Sequence, residues 1–164
     1  QLALSSSLSS SAVVVVLCFF VVTRRPPRST LDRSSAASEV DKRQALGYAN
    51  GMLAEDGTLH IGGQIGWNSQ KVFESHDFIG QMTQVLQNIR EIVEAAGGQP
   101  SDIARLTWFV KSKSEYLAHQ REVGQAYRAV MGRHFPAMSL VGVADLVEDE
   151  ALLEIEATAH IGRG

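Results

Sequence analysis

The chain has 164 residues with 15 basic and 18 acidic side chains, 45% apolar residues and one cysteine, a composition that fits about one globular domain. Residues 1–38 hold four arginines and a single acid, Asp32, a net of +3, which leaves 11 basic and 17 acidic side chains, a net of −6, on the 126 residues from 39 to 164. That larger part has no cysteine, which excludes a disulfide, a thiol nucleophile and a cysteine-held metal, and its sign opposes the phosphate backbones that nucleic-acid binders neutralise with clustered Lys and Arg. A small molecule or another protein is the expected partner, with no nucleic acid.

The apolar run Ala12–Val22 is eleven residues long. As a helix it would reach roughly 16 Å, against the roughly 30 Å of a bilayer core. Gln1–Ser11 carries no Lys or Arg, and the arginines follow the apolar run, the reverse of a secretory signal. The segment TRRPPRSTLDRSSAAS resembles the translation of sequencing-adapter DNA, so residues 1–38 are expected to be a disordered or artefactual extension. Cys18 within it has no neighbouring His to activate its thiol. The expectation is a cytoplasmic protein with no membrane partner and a single working domain over residues 39–164.

From Tyr48 the pattern becomes regular. YANGMLA, the turn Glu55–Thr58 and the run Leu59–Ile65 read as a β-hairpin. Asp77 can cap a helix whose apolar positions Phe78, Met82, Val85, Leu86, Ile89, Ile92, Val93 and Ala96 follow a helical spacing, stopped by Gly97-Gly98 and Pro100. Ala104–Lys111 alternates Leu106, Trp108 and Val110 on one face of a strand. Ser112-x-x-Glu115 is a capping box for a second helix that runs to about Met131. Strands over Met138–Val143 and Leu152–Ile161 close the chain.

Two helices with one apolar stripe each, beside a sheet with one apolar face, make a two-layer α+β sandwich. A mixed sheet of about six strands with both helices on one face is expected. The opposite face would carry Glu154, Glu156, Thr158 and His160 together with Leu152 and Phe109. It is too polar for a core and too apolar for open solvent, which a homo-oligomer burying this face would reconcile.

These pieces taken in order resemble a known family. Tyr48 in GYANG, GGQIG at Gly62–Gly66, VEAAG at Val93–Gly97, LTWFV at Leu106–Val110, FPAMSL at Phe135–Leu140 and LEIEATA at Leu153–Ala159 are similar to the Rid (YjgF) family, which hydrolyses reactive enamines and imines to ketones and ammonia. The resemblance covers residues 45–161. It implies a chorismate-mutase-like fold, a homotrimer with a cleft between each pair of subunits, and neither cofactor nor metal.

Imine hydrolysis needs water delivered to an electrophilic carbon, work that a positioned carboxylate can do. Glu154 matches the family's water-positioning glutamate. Glu156 lies two residues on and is expected to pair with a surface cation such as Arg105. Gly62 and Gly63 lack side chains, so a ligand can approach their backbone closely, and a bulge or tight packing is the structural alternative. Tyr48 matches a cleft-wall tyrosine. Trp67 either lines a larger pocket or packs under its loop.

One departure carries more information than the matches. Deaminating relatives read Pro-Ala-Arg-Ser where this chain reads Pro136-Ala137-Met138-Ser139, and that arginine holds the substrate carboxylate in a bidentate pair. Losing one partner of such a buried pair costs about 2–5 kcal/mol, roughly 30-fold to several thousand-fold in rate. Efficient action on 2-aminoacrylate is therefore not expected. Leu140, where deaminases often carry Cys, makes that end of the pocket more apolar, and Met138, Ser139 and Leu140 join the substrate-binding candidates.

The five histidines show no metal-ligand spacing, and Gly62-Gly63 does not open a helix as a phosphate loop would. The leading expectation is a deaminase or hydrolase of enamines or imines. A non-catalytic trimeric module that binds a small ligand is the alternative, and an endoribonuclease is a weaker one because of the acidic charge.

Overall fold

The computed structural model describes residues 49–162. The extension 1–38 with Cys18, and Tyr48, lie outside the described residues. Five strands and three helices follow in order: β1 (Gly51–Leu53), β2 (Thr58–Gln64), α1 (Phe78–Ala95), β3 (Ile103–Val110), α2 (Lys113–Ala118), α3 (Gln120–Met131), β4 (Ala137–Gly142) and β5 (Leu153–His160). A single 3-10 turn, Pro100–Asp102, leads into β3. The sheet order is β1-β2-β5-β3-β4, antiparallel except for the β3–β4 pair. The sheet thus has five strands among the described residues, where about six were expected. Among the described residues no helix is long and apolar enough to cross a membrane.

The hairpin turns through Gly57, whose φ of 87° only glycine adopts without strain. Asp77 caps α1 by accepting from the Gly80 amide at 2.9 Å, and the apolar stripe Phe78, Met82, Val85, Leu86, Ile89 and Val93 is buried. Gly97 ends that helix at φ 85°. Ser112 Oγ accepts from the Glu115 amide and starts α2 as its spacing predicts.

The second helix, expected to be continuous from Ser112 to about Met131, is broken at His119. In a continuous helix the His119 amide would donate to the Glu115 carbonyl; here it donates to Tyr116 O, and the His119 ring Nδ1 occupies Glu115 O at 2.9 Å. The ring replaces the backbone on that carbonyl, so α2 stops and α3 restarts when Val123 N–H reaches His119 O.

Facing α1 and α3, the sheet buries Leu59, Ile61, Leu106, Trp108, Val110, Leu153, Ile155, Ala157 and Ala159. Each large aliphatic side chain removed from water contributes about 1.5–3 kcal/mol, so this layer contact dominates the stability. Along β5 buried residues alternate with Glu154, Glu156, Thr158 and His160, which project from the other face. Phe109 of β3 lies on that face opposite Glu154. Leu152, expected there too, is instead half-buried against the core just before β5 begins.

The Asp77 cap provides a check on the fold. The Gly80 amide, with the Ser75 hydroxyl second, holds its carboxyl below the ordinary value. A depressed folded pKa stabilises above the unfolded pKa, and this contribution disappears as pH falls through the folded value. Asp77→Ala should lose about 1 kcal/mol in urea unfolding near neutral pH. That deficit should close well below about pH 3.9.

Candidate functional site

β2 steps out of register where its two glycines fall. Ile61 pairs with Ala157 and Gln64 with Ile155, so three residues advance on β2 while two advance on β5. Gly62-Gly63 is therefore a β-bulge, one of the structural explanations the sequence offered. The bulge is held from within, since Gln64 Nε2 donates to Gly62 O at 3.0 Å and to Gly63 O at 3.3 Å. The Gly62 amide donates to Asn50 O and is already committed.

Neither bulge glycine has a positive φ. What Gly63 supplies is space, because a Cβ built on it would fall 1.6 Å from Glu154 Oε1 and 2.5 Å from Glu154 Cδ. The Glu154 carboxyl lies in the volume that any other residue at 63 would fill. Gly62 would meet only backbone oxygens, at 3.6 Å or more, so the two glycines have different functions.

Glu154 is half-buried between the bulge and Phe109, its partner across on β3. Burial, and secondly the Glu156 carboxylate, raise its pKa above the ordinary carboxylate value. Glu156 does not take the partner expected for it. Among the described residues the ion pairs are His76–Glu150, Arg90–Glu94 and Lys111–Asp145, and Arg105 stands opposite Thr158, not Glu156. Glu156 acts on its neighbour as a like charge. A partly desolvated carboxyl with a raised pKa beside open backbone can hold a water and accept its proton near neutral pH.

The other predicted site residues are dispersed within one chain. Met138 pairs with Leu106 and Leu140 with Trp108, which puts both on the helix-covered side of the sheet, Met138 half exposed at the edge. Ser139 pairs with Thr107 on the open face, but β4 lies two strands from β5, roughly 10 Å away. One chain brings together Gly62, Gly63 and Glu154, and leaves Met138, Ser139 and Leu140 on a free edge.

Trp67 belongs to its own loop. Its ring packs against Phe73 at 6.1 Å between centroids, with Lys71 Nζ 5.4 Å from the ring centre. Of its two readings, packing within the loop is the contact observed. Phe109 and Glu156 are the neighbours of Glu154 that sequence reasoning did not select. Their signal was parity, since both alternate onto the face that carries Glu154. Among the described residues no group of three or more His, Cys, Asp or Glu is placed to hold a metal ion.

Residues 41–161 match the family described as endoribonuclease L-PSP. A 2-iminobutanoate/2-iminopropanoate deaminase of Escherichia coli is 39% identical over 100 residues, 59% of this chain and 74% of that protein. A RutC family protein of Pasteurella multocida is 37% identical over 101 residues, covering 62% and 78%. Among solved structures, the YjgF gene product of Escherichia coli superposes with a TM-score of 0.59 at 36% identity, over 69% of this chain and 87% of that one. RidA from Psychrobacter does so with a TM-score of 0.60 at 27% identity, over 70% and 88%.

The raised pKa of Glu154 has a consequence for stability. A carboxyl whose folded pKa lies above its unfolded one stabilises in its neutral form, below the unfolded value, and that contribution disappears as pH rises through the folded value. Glu154→Gln should therefore melt a few degrees higher than wild type near neutral pH. Thermal melts of the two should converge below about pH 4, where the glutamate is neutral as well.

Proposed function

The chain belongs to the endoribonuclease L-PSP (YjgF/Rid) family, and from that premise we propose that it hydrolyses reactive imines or enamines, with Glu154 as the group that handles water. The observation that carries this reading is the Glu154 carboxyl, half-buried over Gly63 with its pKa raised by burial. The relatives named as iminobutanoate deaminases support the same reaction class.

The chemistry follows from one carboxyl. An enamine tautomerises to an imine, which in its protonated form presents an electrophilic carbon. Glu154 as carboxylate holds a water against that carbon, and takes a proton as the C–O bond forms. Once Glu154 has returned the proton to the nitrogen, the carbinolamine expels ammonia as its hydroxyl proton passes back to the carboxylate, leaving a ketone, and that proton departs with the ammonia as ammonium. A single group that first accepts and then donates a proton works best when its pKa is drawn toward the operating pH. Burial moves Glu154 in that direction.

The working form in this proposal is a cytoplasmic homotrimer that needs no cofactor. Its support is the dispersal of the site. Glu154 lies on one face of the sheet and Met138–Leu140 at the exposed β4 edge, a separation that a cleft shared between two chains would close. Phe135, Met138 and Val141 leave apolar surface at or beside that edge, 67%, 50% and 45% exposed. Tyr48 joins the cleft in this proposal on its motif match alone.

Met138 sets the substrate preference. It offers no fork of donors to a carboxylate, and Arg105 lies four residues from Phe109, roughly 13 Å along the strand, too far to take its place. The favoured substrate is an imine or enamine whose side facing Met138 is apolar.

Ammonia release from imines made in situ by an amino-acid oxidase tests the proposal. Wild type should act on apolar imines, Glu154→Ala should lose at least about a hundredfold. Met138→Arg should improve hydrolysis of carboxylate-bearing imines by about 30-fold or more. No turnover by wild type or Met138→Arg on any imine would refute it. A ligand bound equally well by wild type and Glu154→Ala, without turnover, would identify a binding module instead.

A further inference from the structure

One fully buried polar side chain holds both halves of the Glu154 pocket. Gln81 lies in the first turns of α1, in the apolar stripe and completely buried. Its Oε1 accepts from the Leu152 amide at 2.8 Å, and its Nε2 donates to Glu150 O at 2.9 Å and to Ser75 O at 3.2 Å. Burying an amide among Phe78, Met82 and Val85 is costly unless each polar atom is satisfied, and here each is.

The partners are what make Gln81 informative. Leu152 and Glu150 form the backbone that leads into β5, two and four residues before Glu154. On its other side Gln81 is in contact with the segment after the bulge, because a Cβ on Gly66 would fall 2.6 Å from Gln81 Cβ and 2.9 Å from Gln81 Cα. Gly66 is three residues from Gly63. One turn pair further along the same helix, Asn88 Nδ2 donates to Ile65 O at 3.1 Å and Trp67 O at 3.0 Å, fixing the rest of that segment. The strand that carries Glu154 and the strand that opens the space for it are both referenced to Gln81.

We propose that Gln81 is a positioning residue that sets how deeply the Glu154 carboxyl sits over Gly63. It touches neither substrate nor Glu154. It acts through the backbone at Leu152 and Gly66, which fixes the start of β5 relative to the bulge. The proposal rests on the reading of Glu154 as the working group, but its first test does not depend on activity.

That test is a carbon-13 titration of the Glu154 side chain in the full chain, comparing wild type, Gln81→Met and Val85→Ala. Methionine keeps the length and loses all three hydrogen bonds, while Val85→Ala removes core volume one turn away and leaves the hydrogen bond between Gln81 and Leu152 in place. In Gln81→Met the Glu154 pKa should fall toward the ordinary value of about 4.3, as the carboxyl gains solvent. On an imine substrate kcat should drop about tenfold, with KM changed less than about threefold. Val85→Ala should lower the melting temperature and leave the titration in place. If Gln81→Met does not fold, Gln81→Asn, whose shorter amide cannot span Leu152 and Glu150 together, takes its place in the comparison. An unchanged titration in the folded Gln81 variant, or an equal shift in Val85→Ala, would overturn the proposal. Full turnover by Glu154→Gln alongside a shifted titration in Gln81→Met would refute the catalytic reading and leave the positioning role standing.

Discussion

The site depends on an absence, the side chain missing at Gly63. Glu154 projects from the middle of a sheet whose other face is closed by helices, and its carboxyl needs somewhere to lie that is neither core nor bulk water. The bulge at Gly62-Gly63 makes that space, and burial there raises the pKa of the carboxyl. The carboxyl's raised pKa and its position come from the same local geometry. Ionised Glu154 is costly to keep in that place, so the role proposed for it would come at the expense of stability.

The rest of the fold supports this arrangement. α1 covers one face of the sheet with an apolar stripe that one buried amide, Gln81, interrupts, and that amide ties the flanking segments. Open on the other face are Glu154, Glu156, Thr107, Phe109, Ser139 and Val141, a mixture that suits the walls of a cleft better than a free surface. The net charge of −6 on residues 39–164 adds to this picture. With Met138 in place of a cation and Glu156 beside Glu154, the proposed pocket would favour a neutral or cationic substrate over an anion.

Much of this was legible in the residues because it is local. Asp77 and Ser112 are caps set by a three-residue reach, and the stripe of α1 and the alternation of β5 follow from fixed periods of 3.6 and 2. Glu154, Gly62 and Gly63 were selected by motif and do come together. What was not legible is cross-strand register. A bulge of one residue decides that Gly63, rather than Gly62, faces Glu154, and the pairing of β4 with β3 decides that Met138 and Leu140, not Ser139, take the helix-covered side. The break at His119 depends on one ring nitrogen taking a backbone carbonyl, which no propensity encodes. Gln81 passed unnoticed because a polar residue within an apolar stripe looks like a flaw until its partners, 69 and 71 residues away, are known.

The central claim is that Glu154 works because Gly63 leaves it room, and Gly63→Ala tests it most directly. The backbone at 63 permits alanine, and the atoms it would meet belong to the far end of one flexible side chain, so the protein should fold with a melting temperature near that of wild type. Its ammonia release from the best imine substrate should fall nearly as far as that of Glu154→Ala, about a hundredfold. Wild-type turnover in a folded Gly63→Ala would contradict the claim, for the carboxyl would then be active without the space that defines its position.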